Sequence, residues 1–187
     1  VPETSQPFLS DIQEIRRRAR EHIEAGALTP NYGSNVETAV RLLNDALATE
    51  IVCTLRYTFH YVTAQGFNSD AVKQEFKQHA ADEQGHALQI AERINQLGGK
   101  PNFNPEGLAT RSHADYVEGQ NLVDMIRENL VAERIAIETY REMVRYFGDK
   151  DPVSRRMMEE ILAKEEEHAN DMHDLLIAHE GTPMLDS

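Results

Sequence analysis

The sequence predicts an all-α protein, an antiparallel four-helix bundle, and three observations carry that expectation. Four long segments place apolar residues alternately three and four apart, the spacing that lines one stripe of a helix. The connections between them run short, long, short, so that two helix hairpins are joined by one long crossover between the second and third helices. The composition is also helical: Glu, Ala, Leu and Arg are the commonest residues, against 10 Gly, 7 Pro and no Trp in 187 residues.

That length suffices to bury a core without staples. The single cysteine rules out an intrachain disulfide framework and a cysteine-based zinc site, and it fits a reducing compartment. No apolar run approaches the roughly 20 residues of a membrane span, and Val1-Pro2-Glu3-Thr4 opens no signal peptide. A soluble, cytoplasmic protein is expected. The formal charge of -13 and the lack of a basic tail at either terminus argue against DNA binding and favour attraction of cations.

Residues 1–34 read as an N-terminal arm followed by a short helix, and 35–187 as the bundle domain. The short helix is expected from Ser10, with Ile12, Ile15, Ala19 and Ile23 on one stripe and Gly26 as its stop. Its Arg16-Arg17-Arg18 run is cancelled by Asp11, Glu14, Glu21 and Glu24, which reads as a solvated face. Ser34-Asn35-Val36-Glu37 has the form of a capping box. The first long helix then carries Val36, Val40, Leu43, Leu47, Glu50, Thr54, Tyr57 and Tyr61 on its seam.

Gly66-Phe67-Asn68-Ser69 reverses the chain, and the second helix presents Val72, Phe76, His79, Glu83, His86, Ile90, Ile94 and Leu97 until Gly98-Gly99 ends it. Residues 100–118 are long enough to run the length of a helix. A third helix, Gln120 to Phe147, aligns Leu122, Ile126, Glu133, Ile137, Tyr140, Val144 and Phe147. Asp151 as cap and Pro152 at the first helical position start the last, with Met158, Ile161, Glu165, His168, Met172, Leu175 and His179 on its seam. No fifth helix is expected in the residues after Glu180.

The chemistry lies in what interrupts the apolar stripes. Glu83-x-x-His86 recurs as Glu165-x-x-His168, and Glu and His three apart share a helix face, so each pair can offer an oxygen and a nitrogen to one ion. Glu50 lies 33 residues before Glu83, Glu133 lies 32 before Glu165, and each is followed seven residues later by a tyrosine, Tyr57 or Tyr140. The two sets are offset by 83 and 82 residues, the mark of a duplicated helix pair. One such glutamate would ordinarily be a solvated surface acid; six matched positions on four seams are not. Four ionised carboxylates buried together would cost several kcal/mol each and repel one another. No lysine or arginine shares their level, whereas two divalent cations would balance the four acids, with the histidines completing the set. Mixed oxygen and imidazole ligands suit iron or manganese, with zinc as a competitor.

Tyr57 and Tyr140 can hydrogen-bond a ligand carboxylate or relay an electron, or simply pack. Asp82 is placed to orient the far histidine His168, although Lys164 occupies the matching place before Glu165. Cys53 and His79 read more readily as core residues than as a redox partner and a spare ligand.

Glu50, Glu83, His86, Glu133, Glu165 and His168, with Gln89-Ile90-Ala91-Glu92-Arg93-Ile94 leading to Gly99-Lys100-Pro101-Asn102, resemble the bacterioferritin branch of the ferritin-like superfamily over residues 36–179. The long crossover is likewise the topology of ferritin-like bundles. The resemblance implies a ferroxidase: two iron ions per subunit, Fe(II) oxidised by O2 or H2O2, and Fe(III) stored in a homo-oligomeric shell. The six residues would act through the bound metals, with Tyr57 as a further candidate. Gln84 stands where bacterioferritins carry a haem-ligating methionine, which argues against haem. The N-terminal helix and long crossover are more similar to Dps-like proteins, which points to a 12-subunit shell rather than a 24-subunit one. Such relatives often carry a cysteine pair near the metal, and Cys53 has no partner. A manganese catalase or another di-metal peroxidase or oxidase on the same scaffold, and a DNA-protecting stress protein with little catalysis, are the alternatives.

Overall fold

A computed structural model describes residues 11–66 and 69–180. The helices are α1 (Ile12–Arg18), α2 (Val36–Thr63), α3 (Ser69–Gln96), α4 (Leu108–Arg111), α5 (Leu122–Phe147) and α6 (Pro152–Glu180), with no strand among the described residues. The four long helices form the bundle. α2 packs on α3 and α5 on α6 as two hairpins, and α2–α5 and α3–α6 contacts close the ring. The starts of α2, α5 and α6 are each capped by a side chain that accepts an otherwise unpaired N–H: Asn35 from Thr38 at 2.8 Å, Asn121 from Asp124 at 3.0 Å, and Asp151 from Ser154 at 2.9 Å. The cap of α2 is therefore Asn35, one residue after the expected Ser34. At the other end of the first hairpin, Gly98 adopts φ +72, and a side chain on Gly99 would meet Val40 at 2.6 Å, so the glycine pair lets the turn close on α2.

The stripes meet as expected and form two apolar layers. Leu43, Leu47, Ile90, Ile94, Phe147, Met158 and Ile161 pack in one. Tyr57, Val72, Phe76, Ile126 and Met172 pack in the other. The interrupting glutamates of the four seams lie between these layers, each 0–1% exposed.

The crossover is stitched to α2 along its length. Asn44 accepts from the Asn102 N–H at 2.8 Å, Thr49 accepts from the His113 N–H at 3.0 Å, Arg56 donates to the Asp115 carbonyl at 2.9 Å, and His60 lies 3.0 Å from the Glu118 carbonyl. It also contains α4, a single turn that the sequence reading treated as loop. Beside the main seam, Ala39, Ala46, Cys53 and His60 recur every seven residues and are all buried. Ala114 of the crossover and Ala132 of α5 pack on Cys53. Small side chains at these positions let irregular backbone come close, and the polar residues between them satisfy its carbonyls and amides.

The expectation for the N-terminal helix needs correction. α1 ends at Arg18 instead of reaching Gly26, and the chain then turns through His22 at φ +51. Its stripe is not buried: Ile12 is 53% and Ile23 80% exposed. The cause is local. Arg17 pairs with Glu14 at 2.8 Å and with Glu21, so the charges satisfy one another within the segment and nothing draws its apolar side onto the bundle. The arm at residues 1–9, the middle of the Gly66–Ser69 reversal and the absence of a helix after Glu180 lie outside the described residues.

The far end of the bundle is tied by one buried acid. Asp151, 1% exposed, accepts from Arg93 at 2.9 Å, from Tyr32 at 2.7 Å and from the Ser154 hydroxyl at 2.6 Å. It thereby joins α3, α6 and the segment before α2. Although burial pushes its pKa up, the bonds from Ser154 and Tyr32 and the Arg93 charge hold it below the ordinary carboxylate value. Asp151→Ala is expected to cost about 3–5 kcal/mol, because it removes a cap and strands the Arg93 guanidinium. Urea unfolding checks this, and a midpoint unchanged from the parent would show the knot to be incidental.

Candidate metal centre

The six residues singled out by their spacing converge at mid-bundle. Glu50 comes from α2, Glu83 and His86 from α3, Glu133 from α5, and Glu165 and His168 from α6. They form two overlapping groups, each with donor atoms within 4.8 Å of one another: Glu50, Glu83, His86 and Glu165, and Glu83, Glu133, Glu165 and His168. Glu83 and Glu165 belong to both. His86 Nδ1 lies 3.2 Å from Glu83 Oε2, 3.0 Å from Glu165 Oε1 and 3.3 Å from Glu50 Oε2. His168 Nδ1 faces the other oxygens of the shared pair, Glu83 Oε1 at 3.5 Å and Glu165 Oε2 at 3.6 Å. Two carboxylates thus divide their oxygens between two positions, while Glu50 serves one alone and Glu133 the other. Spacing placed these six on the right faces; only packing distinguishes shared from terminal glutamates.

The terminal glutamates are held across the bundle. Tyr57 of α2 donates to Glu133 of α5, and Tyr140 of α5 donates to Glu50 of α2. Each tyrosine therefore supports the glutamate of the opposite helix, not the one seven residues before it, because α2 and α5 run antiparallel. Asp82 Oδ2 lies 3.3 Å from His168 Nε2, the outer nitrogen, and so fixes that ring with Nδ1 turned inward. Lys164, in the matching place on α6, turns to Glu167 at 2.9 Å, so His86 has no such acid among the described residues.

Two supports go beyond the sequence reading, which placed His79 in the core without its contacts and did not single out Arg56. His79, 2% exposed, stacks on His168 with ring centroids 3.9 Å apart and places Nδ1 3.1 Å from the Tyr57 hydroxyl. Burial, and then the neighbouring His168, lower its pKa to about 4. Arg56, 1% exposed, donates to Asn129 and to the Asp115 carbonyl, both at 2.9 Å. A signal for it existed: a charged residue lying between the seam position Tyr57 and the seven-residue repeat that includes Cys53.

The electrostatics are those of a cation site. Burial, followed by the Glu83 and Glu165 charges, pushes Glu50 and Glu133 well above the ordinary carboxylate value. Glu83 goes the other way: burial raises it, but His168 and His86 outweigh that and hold it below the usual range. Against the lowering effect of burial, Glu165, Glu50 and Glu83 raise His86 to about 12, and Glu165 and Glu83 raise His168 to about 11. Even so, Glu50 Oε2, Glu83 Oε1, Glu133 Oε2, both Glu165 oxygens and His168 Nδ1 are buried with no hydrogen-bond partner among the described residues. Orphaned acceptors pointing at two common positions are what a pair of divalent cations would satisfy, so the residues fit the group that the sequence implies.

Residues 40–179 match the model of the ferritin-like domain. The chain belongs to the ferritin-like family. Among relatives, it is 30% identical over 152 residues to the DNA protection during starvation protein of Pyrococcus furiosus, covering 80% of this chain and 82% of that one. It is 28% identical over 130 residues to the bacterioferritin of Desulfovibrio desulfuricans, covering 69% of each. Among solved structures, a dodecameric thioferritin, the bacterioferritin-related protein of Bacteroides fragilis, superimposes with TM-score 0.76 at 30% identity over 82% of this chain and 94% of that one. The ferritin-like fold anticipated from the crossover is thereby shown, and no described helix is long and apolar enough to cross a membrane.

The titration behaviour yields a prediction. Without metal, His86 and His168 are cationic at pH 7, and their raised pKa values contribute stability that is complete below their unfolded value of 6.5 and lost as pH rises through about 11 and about 12. A metal requires the neutral imidazoles. Anaerobic Zn(II) binding at pH 7 is therefore expected to release about two or more protons per chain, with affinity falling as pH falls. Indicator-dye titration measures the release; binding without it would contradict the assigned charge states.

Proposed function

We propose that the chain is a ferroxidase subunit that binds two Fe(II) ions as substrate between Glu50, Glu83, His86, Glu133, Glu165 and His168, and that stores the Fe(III) in a homo-oligomeric shell. The observation that carries this reading is the sharing of Glu83 and Glu165 by two ligand sets. Ions held side by side give up two electrons together to O2 or H2O2, which avoids one-electron chemistry in solution.

The chain's residues set the conditions for that transfer. The glutamates supply hard anionic oxygen, which favours the ferric product. Tyr57 and Tyr140 hold Glu133 and Glu50 in place, and Asp82 keeps the His168 ring aimed inward. The two apolar layers exclude water above and below. His86, at 12% side-chain exposure against 1–2% for its neighbours, marks the least sealed corner and the side from which an oxidant reaches the pocket. A shell of twelve is proposed on the likeness to the dodecameric Bacteroides fragilis protein, and storage on the likeness to bacterioferritins. The Pyrococcus furiosus relative is named for DNA protection; this chain's charge of -13 opposes a phosphate grip, and a gel shift at physiological salt is expected to be negative.

The test is rapid-mixing Fe(II) oxidation together with light scattering and a metal count per chain. Glu83→Ala and His168→Ala are each expected to slow oxidation by about 100-fold. The parent protein is expected to remain a large assembly whose iron content rises far beyond the pocket's capacity on aerobic loading. Parent-like rates in either variant would refute the site. A small monomer that retains only its pocket metals would indicate an oxidase, and oxygen evolution from peroxide by the manganese-loaded protein would indicate a catalase.

A further inference from the structure

The first half of the crossover folds back on α2 and encloses an open cup of about 720 Å³. Its wall runs against the charge of the chain. Three cations, Arg41, Lys100 and Arg111, stand there with one acid, Asp45, in a protein whose net charge is -13. The acid compensates little, because it reaches only Arg41, at 3.5 Å and one turn away on α2. Lys100 and Arg111 have no carboxylate within ion-pair distance among the described residues. Arg41 lies nine residues, about 14 Å of helix, before Glu50, so the cup is separate from the metal pocket.

The cations are held in place by the backbone. Arg111 Nη1 and Nη2 donate to the carbonyls of Glu106 and Asn104, both at 2.8 Å, and Gly107 at φ +69 lets the chain curl around the guanidinium. Its Nε is buried with no acceptor among the described residues, so the loop fixes this charge without neutralising it. The loop is in turn fixed to α2: Asn44 accepts from the Asn102 N–H at 2.8 Å and donates to the Lys100 carbonyl at 3.3 Å.

Around those charges the loop has used up its side-chain acceptors. The amide oxygens of Asn44, Asn102 and Asn104 accept the N–H groups of Asn102, Asn104 and Glu106 in turn, at 2.8, 3.1 and 3.1 Å, which fixes the orientation of each amide. The NH2 groups of Asn102 and Asn104 make no hydrogen bond among the described residues. Unspent amide donors beside three cations suit an oxyanion with several oxygens. On the same wall stands Phe103, a ring left 52% exposed. A flat group laid on it would take that ring out of water.

We propose that this cup binds a nucleoside phosphate, with the phosphates among Arg41, Lys100, Arg111 and the two free asparagine amides, and the base against Phe103. The volume is that of a small-molecule site. A long polyanion is repelled by the chain as a whole, whereas a ligand of about two or three charges responds chiefly to the cations within a screening length. The site stands apart from the ferroxidase reading and holds whether or not the chain oxidises iron.

The test is calorimetric titration of the full chain, in its native assembly and without added divalent cations, with ADP, pyrophosphate and adenosine. ADP is expected to bind at about one per chain, pyrophosphate about tenfold more weakly, and adenosine not measurably. The Arg41→Ala/Lys100→Ala double variant changes two exposed side chains and leaves the Arg111 loop intact; it is expected to weaken ADP by about 30-fold. Phe103→Ala is expected to weaken ADP by about tenfold and to leave pyrophosphate unchanged. No ADP binding, or parent-like ADP affinity in the double variant, would overturn the proposal. Pyrophosphate binding as tight as that of ADP, with Phe103→Ala silent, would overturn the nucleoside assignment. A parent that ignores ADP, together with a double variant whose assembly falls apart on size exclusion, would give the cup to acids of a second copy and overturn the proposal as well.

Discussion

Burying four carboxylates at one level of a helical bundle is the constraint that the rest of this structure answers. In an apolar medium each ionised acid costs several kcal/mol unless it is compensated, and mutual repulsion adds to that. The bundle meets part of the cost with its own groups: two tyrosines crossing between α2 and α5, two histidines drawn to the cationic state, and Asp82 bracing one of them. The remainder is left open, in oxygens that face one another without donors. Stability comes from elsewhere, from the apolar layers on either side, the caps, and the knot around Asp151. The fold is thus a clamp that holds acids where they would not stay unaided.

The duplicated pattern makes the clamp nearly twofold, and its departures from symmetry are informative. α2 pairs with α5 and α3 with α6, and Glu, Tyr and Glu-x-x-His repeat in each half. Behind the repeat the halves differ. His168 has Asp82 where His86 has nothing comparable, because Lys164 turns away to Glu167. Tyr57 has His79 behind it, whereas the equivalent space beyond Tyr140 is filled by Ile161. Both additions fall on the same side, so that one position is braced while the other is the less sealed. The two positions are thus built alike but supported differently.

What the sequence made legible is what periodicity controls. The seams, the stop at Gly98-Gly99, the Asp151-Pro152 start and the six convergent residues all follow from which face of a helix a position occupies. Features that depend on which partner an element meets were not legible in that way. The N-terminal stripe has helical spacing, but its charges pair within the segment and leave Ile12 and Ile23 in solvent. The crossover lacks a repeat of its own, and its attachment to α2 is written in α2's side chains, Asn44, Thr49, Arg56 and His60. The division of Glu83 and Glu165 between two positions, against Glu50 and Glu133 serving one each, follows from the order of helices around the ring rather than from spacing along the chain.

Arg56 shows how closely the crossover and the pocket are linked. It is as buried as the glutamates, yet no carboxylate pairs with it directly; its donors go to Asn129 and to the Asp115 carbonyl. Burial alone would lower its pKa, but the neighbouring Cys53 and Tyr57, and after them Glu133 and Glu83, leave it raised. The guanidinium is therefore a fixed positive charge, close enough to the pocket to offset part of the carboxylate repulsion, and it cannot be dismissed by deprotonation as a lysine could. Its hydrogen bonds go to Asn129 and to the crossover rather than to the acids, whose oxygens stay without donors among the described residues. Its position also favours a crossover that lies against α2, because the Asp115 carbonyl takes one of the few hydrogen bonds that compensate a full charge in the core. The segment that carries no ligand is thus part of what makes the ligand set tolerable.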